Sequence, residues 1–338
     1  VLVTICNIRQ LPQAFALGDS FIRQTPLQTG SSPAVLIGLA DDPARLPANF
    51  ESPFPLVPVS NFLSDSQLAD LSAAYTPTEF AAACKPAFIA DVFQRYADVD
   101  DVIYADPNIF FVSSTILITD RLRQSTLLLT PYVTRSPGDG LWPDEKFFQN
   151  VGLYNADFLA FRRSDETARM LTWWQDRTTG RARIDFCEGL CTDQIWLMHV
   201  PVFFRDVQII KNPGWHTGIW NLPERRLDKT PEGWVVSVPA EQNQPLLFAN
   251  FKGLYNRNEG FFPHQTRLSL ASRPDVRTLL TVYQQALSVH LHPALAQVSP
   301  ALGQRSEPVI LRGWRHTLVR SLRNMVKYVN QVPLPAVR

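Results

Sequence analysis

The sequence predicts an α/β fold built on a central sheet, and three observations carry that expectation. An apolar, β-branched run opens the chain from Val1 to Cys6, and a second lies from Ala34 to Ala40. Between them Leu11, Phe15, Leu17 and Phe21 recur at near-helical spacing, so the order strand, helix, strand marks a parallel α/β unit. A third apolar run, Val102 to Tyr104, ends in Asp106-Pro107-Asn108 before Ile109 to Val112 carry the chain onward. Ligands of open α/β sheets gather at the carboxyl ends of the strands, and here that end carries polar oxygens. Pro107 holds its two polar neighbours in an extended relation, which suits a cation or a diphosphate. An ordinary Asp-Pro turn is the plainer reading of the tripeptide alone.

The remaining elements follow in order. Thr76-Pro77-Thr78-Glu79 is a helix start, with a Thr cap, Pro at the first helical position and Glu three residues after the cap. Phe80, Cys84, Phe88 and Val92 then share one face, and Pro86 in the middle is expected to kink the helix and aim Lys85. Thr130 to Gly140 is Pro- and Gly-rich and reads as a surface loop. Val151 to Phe161 reads as a strand opened by Asn155, followed by a helix capped at Ser164. Thr192 to Pro201 reads as a helix with Asp193 and Gln194 at its start, ended by the proline. Asn212 to Asn221 places Trp215, His216 and Trp220 in a Gly-punctuated loop, poor core but a good wall for a polar, ring-shaped ligand. Leu246 to Leu254 reads as a strand ending in Asn250-Phe251-Lys252-Gly253, where the glycine lets backbone approach a ligand. An amphipathic helix begins at Ser272 and Pro274.

The tail is the clearest charge feature. Trp314, Leu318, Leu322, Met325, Val326 and Val329 form an apolar stripe, while Arg312, Arg315, Arg320, Arg323 and Lys327 supply charge with no acid among them. Such a helix either lies on an anionic membrane surface or packs on the main domain with its arginines in water. Bulk composition is neutral on partners: 338 residues, 45% hydrophobic, 19% charged, with a formal net charge of +1. A nucleic-acid partner is not expected, because only the tail combines basic and aromatic residues. No apolar run approaches the ~20 residues that span a bilayer, and the opening residues lack the flanks of a signal peptide, so a cytoplasmic location is expected. Cys6, Cys84, Cys187 and Cys191 are too scattered for a disulfide framework or a zinc site, and His290 and His292 read as structural.

Taken in order, Glu79-Phe80 with Lys85-Pro86, Tyr104-Ala105-Asp106-Pro107-Asn108, Gly152 to Phe158, Asp193-Gln194 and Asn250-Phe251-Lys252-Gly253 resemble a family pattern. It is that of bacterial family-8-like, retaining nucleotide-sugar glycosyltransferases of the GT-A fold, over roughly Val1 to Gly260. The resemblance implies a Rossmann-like mixed sheet flanked by helices over 1–265; beyond it, the apolar patterns read above give a C-terminal helical region over 266–338 with the basic amphipathic helix of the tail at 311–330. It implies transfer of a hexose from a nucleotide diphosphate sugar, by family default a uridine one, to an acceptor hydroxyl in glycan or polysaccharide synthesis. The donor would meet Cys6, Asn7, Lys85, Tyr104, Ala105, Asp106, Lys252 and Gly253, and Asp193, Gln194 and Asn155 would serve the sugar. Trp215, His216 and Trp220 would frame the acceptor.

In the family, an Asp-x-Asp element and a later His-Phe-x-Gly hold manganese or magnesium, which maps onto Asp106, Asn108 and Asn250. Two of these are neutral amides, so metal affinity should fall. Lys252, together with Lys85, is then a source of positive charge that weakens or replaces the need for the ion; a weakly held ion is the competing reading. The alternative function is a nucleotide-sugar binding protein that has lost its metal centre, favoured by Asn108 and Asn250 and opposed by Lys85, Asn155, Asp193 and Gln194. A nucleotidyltransferase would need a Gly-rich, basic phosphate loop near the start, which the chain lacks.

Overall fold

The structure is a computed structural model and describes residues 1–26, 34–239 and 241–331. Residues 332–338 of the expected C-terminal region lie outside the described residues. The opening unit forms as expected: β1 (Leu2–Cys6), α1 (Leu11–Gln24) and β2 (Val35–Leu39), with β1 and β2 parallel and every residue of both strands buried. Strands covered on both faces can be apolar throughout, which is why these runs do not alternate. β3 (Leu56–Pro58) extends this edge, and α2 (Asp65–Ala74) and α3 (Pro77–Arg95) follow. Both helices open on a capping box, Ser64 with Gln67 and Thr76 with Glu79. α3 runs unbroken through Pro86.

β4 (Asp101–Ala105) leads through the Asp106-Pro107-Asn108 turn to β5 (Ile109–Phe111), α4 (Ile116–Leu122) and β6 (Leu127–Pro131). Then come α5 (Glu145–Val151), β7 (Tyr154–Arg162), α6 (Asp165–Arg181), β8 (Ile184–Asp185) and β9 (Leu190–Cys191). Where a helix is expected from Thr192 to Pro201, the chain instead makes a 3-10 turn, Ile195–His199, and the short α7 (Val200–Phe203). Pro201 opens α7 rather than ending a helix, because its missing N–H is no loss in a first turn. β10 (Val207–Ile209) completes the main sheet, whose order is β3-β2-β1-β4-β7-β6-β10. All neighbours pair parallel except at β7, which runs antiparallel to β4 and β6. This is the mixed, helix-flanked sheet that the resemblance implies.

A second layer of short strands covers one end. β11 (Arg226–Thr230), β12 (Gly233–Ser237) and β13 (Gln244–Pro245) form an antiparallel meander, and β14 (Phe248–Asn250) pairs antiparallel with β5. α8 (Pro274–Ser288) and α9 (Pro293–Gln297) follow. Arg273, not Ser272, takes the cap position of α8, and its guanidinium donates to the carbonyls of Leu222 and Arg225. One apolar cluster joins the sheet to α3 and α6 through Phe88, Phe161 and Trp174; another joins it to α1 through Phe21, Phe111 and Phe158. Gly38 lets α3 close on the sheet, since a Cβ there would lie 2.9 Å from the Phe88 ring.

By packing, the chain divides into Val1–Ser306 and Glu307–Arg338, with residues 266–306 in the first unit. The reason is contact: Tyr283 of α8 stacks on Phe251 at 4.1 Å, and Ala301 N donates to the buried Asp41 carboxylate at 2.8 Å. The second unit contains α10 (Trp314–Gln331), and its apolar stripe from Trp314 to Val329 is exposed.

Candidate active site

The pairing of β5 with β14 and of β4 with β7 decides what surrounds Asp106. Asn250 lies opposite Ile109, and Phe251 N donates to Asn108 O at 2.8 Å, which carries Lys252 to the Asp106 turn. Ala105 lies opposite Phe158, and Asp106 N donates to Asp157 O at 2.7 Å, so a second aspartate arrives beside the first. Within the turn, Asp106 Oδ1 accepts from Asn108 N at 3.0 Å and from Asn108 Nδ2 at 3.1 Å. Lys252 Nζ then donates to Asp106 Oδ2 at 2.6 Å and to Asp157 Oδ1 at 2.7 Å. Burial opposes the ammonium's charge, but the two carboxylates outweigh it, and the pKa of Lys252 lies above the ordinary lysine value.

A ring of amides and imidazole closes the cluster from beneath. Asn250 Nδ2 donates to Asp157 Oδ2 at 2.8 Å, and Asn250 Oδ1 accepts from Lys252 N at 2.9 Å. Asn250 Nδ2 also lies 3.3 Å from His216 Nε2, and because the amide nitrogen is the donor, Nε2 is the acceptor. The proton of His216 therefore sits on Nδ1, which reaches Thr130 Oγ1 at 2.7 Å. Burial, then Arg225 and Lys252, push the His216 pKa well below the usual histidine value, so the ring is neutral. Glu259, on the turn beyond Gly253, has its carboxyl pKa raised by burial and by Asp106. Gly253 itself has φ +78, a conformation that only glycine adopts without strain.

Deeper in the fold lies a second cluster. Lys85 reaches inward, pairing with Asp193 Oδ2 at 2.6 Å and donating to Ala156 O at 2.9 Å, with the Tyr104 ring 4.5 Å away. It is enclosed by protein, so a direct contact between Lys85 and a donor diphosphate is not what this geometry offers. Asp193 follows Thr192, whose φ is +50, and it answers the Lys85 charge rather than capping a helix. Gln194 Oε1 accepts from Tyr132 Oη at 2.8 Å and from Ala156 N at 3.0 Å, while its Nε2 donates to Val151 O at 2.6 Å. Asn155 Oδ1 accepts from Asp157 N at 2.8 Å, and Asn155 Nδ2 is buried without a partner.

The loop from Asn212 to Asn221 is core, contrary to its sequence reading. Trp215 packs edge-on to Phe158 at 6.0 Å, and Trp220 to Tyr132 at 5.1 Å; both are buried. Such a polar loop can be buried because its own groups satisfy it: Arg225 donates to the carbonyls of Pro213 and Trp215, and Asn221 to those of Tyr132 and His216. Trp215, His216 and Trp220 thus form the floor under Asn250 rather than an open wall. Cys6, Tyr104 and Ala105 are likewise buried at the ends of β1 and β4, and burial holds the Cys6 thiol protonated. Asn7, half-buried, has its Oδ1 without a hydrogen-bond partner.

Asp157 is the residue that the sequence reading passed over. Its signal was available: Asn155 and Asp157 stand two apart on one strand and so share a face. Of the expected ion ligands, Asp106 and Asn108 meet within the turn, while Asn250 engages Asp157 and the Lys252 backbone; Asn108 Oδ1 has no hydrogen-bond partner, but the set as placed does not fit a divalent ion. Magnesium sits about 2.1 Å from its oxygen ligands, and the position beside Asp106 Oδ2 and Asp157 Oδ1 already holds the Lys252 ammonium. Asn250 Oδ1 is committed to Lys252 N. Among the described residues no group of three or more His, Cys, Asp or Glu side chains is arranged to hold a metal.

No protein-family model matches the chain. The uncharacterized protein YfnF of Bacillus subtilis (strain 168) is 26% identical over 293 residues, covering 84% of this chain and 90% of that protein. The uncharacterized YfnD of the same organism is 23% identical over 198 residues, covering 56% and 58%. Structural neighbours are glycosyltransferases. The galactosyltransferase LgtC, solved with donor and acceptor sugar analogues, has a TM-score of 0.44 at 12% identity, over 85% of this chain and 95% of LgtC. The bifunctional WbbM (0.37, 16% identity, 64% of this chain and 39% of that one) and mouse xyloside xylosyltransferase 1 (0.35, 10%, 65% and 88%) follow.

Proposed function

We propose that this chain is a glycosyltransferase that moves a hexose from a nucleotide diphosphate sugar, a uridine one by family default, to an acceptor hydroxyl. The observation that supports this most is convergence: Asp106, Asn155 with Asp157, Asp193-Gln194 and Asn250-Lys252 are scattered in sequence yet adjoin at the carboxyl end of β4. These are the segments that carry the family resemblance. Asn7 Oδ1, at the end of β1, and Asn155 Nδ2 are buried without hydrogen-bond partners near these sheet ends, and donor binding must open the fold there for them to meet the nucleoside and a sugar hydroxyl. Gln194 and Asp193 position that donor, Gln194 by holding the backbone at Val151 and Ala156 and Asp193 by neutralising Lys85. The protein's contribution is placement of two substrates and stabilisation of the diphosphate as it leaves.

Transfer with retention is part of the same reading, and the anomeric proton coupling of the product checks it. A glycan or polysaccharide acceptor on the cytoplasmic face of the inner membrane suits the tail. In α10, Trp314, Leu318, Leu322, Met325, Val326 and Val329 are exposed together and acids are absent, so the helix is fitted to an anionic lipid surface. Among the described residues no helix is long and apolar enough to cross a membrane. Sedimentation with phosphatidylglycerol vesicles, with and without the residues after Pro308, tests this; equal sedimentation of both forms removes the membrane contact.

The deciding experiment for the activity is nucleotide release from a panel of nucleotide diphosphate sugars by the purified chain, with simple glycosides as acceptors. Release that depends on donor identity and falls in Asn155→Ala supports the transferase. Nucleotide bound without release from any donor supports the non-catalytic binding protein, which the full engagement of Gln194 within the fold would then explain.

A further inference from the structure

Lys252 Nζ occupies the space between Asp106 Oδ2 and Asp157 Oδ1, at 2.6 and 2.7 Å. An ammonium has three N–H donors; two are given to the carboxylates and one remains, on a side chain that is 20% exposed. A divalent ion on the same two oxygens would coincide with Nζ, setting like charges within van der Waals contact. The lysine is also built in along its length. Its N–H is held by Asn250 Oδ1, its turn is set by Gly253, and a Cβ on Gly260 would lie 3.1 Å from Lys252 Cγ. Little rotamer freedom is therefore left to lose when a ligand arrives.

We infer that the Lys252 ammonium is the resident cation of this site and holds the diphosphate of a nucleotide ligand in place of a divalent ion, so that nucleotide binding is metal-independent. The inference rests on the nucleotide-sugar reading above. Asp106 and Asp157 keep the ammonium charged and aimed, and the remaining N–H meets a phosphate oxygen as a charge-assisted hydrogen bond. The division of labour has a consequence in charge. Two carboxylates with one ammonium leave one negative charge, where a divalent ion on the carboxylates alone would leave none. The lysine site holds a diphosphate less tightly than a metal site would, but a chelator cannot strip its charge.

Titration calorimetry of uridine diphosphate and of inorganic pyrophosphate against the full chain tests this, in excess chelator and in saturating magnesium. Native protein should bind uridine diphosphate with the same Kd in both, within about twofold. Lys252→Met should lose about tenfold or more in chelator and recover part of it in magnesium, since its emptied carboxylate pair can then accept the ion. Lys252→Arg, which keeps the charge, should retain chelator-insensitive binding if it folds, and thermal melts of both variants establish that they do. Native affinity that rises about tenfold or more with magnesium overturns the inference and leaves the nucleotide-sugar reading standing. Undiminished binding by folded Lys252→Met in chelator also overturns it. Failure of uridine diphosphate to bind in either condition overturns the nucleotide-sugar reading itself, and the inference with it.

Discussion

Lys85 and Lys252 each approach an aspartate oxygen to 2.6 Å near the carboxyl end of the central sheet, but their surroundings differ. Lys85 and Asp193 are both almost wholly enclosed, at 6% and 3% exposure, and the lysine's other contacts are the Ala156 carbonyl and the Tyr104 and Trp174 rings. That pair fastens α3 to β7 and to the Asp193-Gln194 turn. Lys252 is shared by two carboxylates, and a fifth of its side chain is exposed. The difference teaches that the partner set and the access to solvent, not the presence of a lysine, separate a structural cation from one that can meet a ligand.

Breaking the enclosed pair should have the largest effect. Lys85→Met leaves Asp193 charged and buried, and should cost about 3–5 kcal/mol in urea unfolding. Pairing it with Asp193→Leu removes both charges and should restore most of that stability, while on the proposed function nucleotide release should stay low because the Asp193-Gln194 turn has lost its tie. If the double variant is as unstable as the single one, the Lys85 contact to Ala156 O matters more than the ion pair. Lys252→Met should cost less stability, about 1–3 kcal/mol, because water reaches its carboxylates. Its effect on nucleotide release should be far larger, at least about a hundredfold in kcat/KM.

Asp157→Asn sharpens the comparison within the open cluster. It keeps shape and one carboxylate, so kcat/KM should fall about tenfold, between native and Lys252→Met. The smallest expected effect is one of pH. His216 is neutral in the fold, with its pKa depressed below the ordinary 6.5 by burial, Arg225 and Lys252, whereas the unfolded chain takes up a proton there. Its contribution to stability is therefore present above that value and lost as pH falls through it, by at most about 1.4 kcal/mol per pH unit. His216→Gln should flatten the fall in unfolding free energy between about pH 6.5 and 5. A slope unchanged in the variant would show that His216 is protonated in the fold.

Much of the fold was legible because its signals are local. The β-branched runs of β1 and β2, the capping box of α3 and the Ser164 cap of α6 all act within a few residues. Pro201 misled because proline is compatible with both a helix stop and a helix start, and only the turn at Thr192 shows which applies. Trp215 and Trp220 read as ligand contacts because a polar, Gly-punctuated loop normally lies in water; the Arg225 and Asn221 hydrogen bonds that let this one be buried are tertiary.

By itself the sequence determined that one strand would run into Asp106-Pro107-Asn108 and a second into Asn250-Phe251-Lys252-Gly253, since both follow from apolar runs and their breaks. Only the tertiary structure decided that these ends meet. Lys252 is 146 residues from Asp106 and 95 from Asp157, and the β5–β14 and β4–β7 pairings bring the three together. A side chain's charge is written in its residue type, but its partner is set by strand pairing over such distances, and that partner separates Lys85 from Lys252.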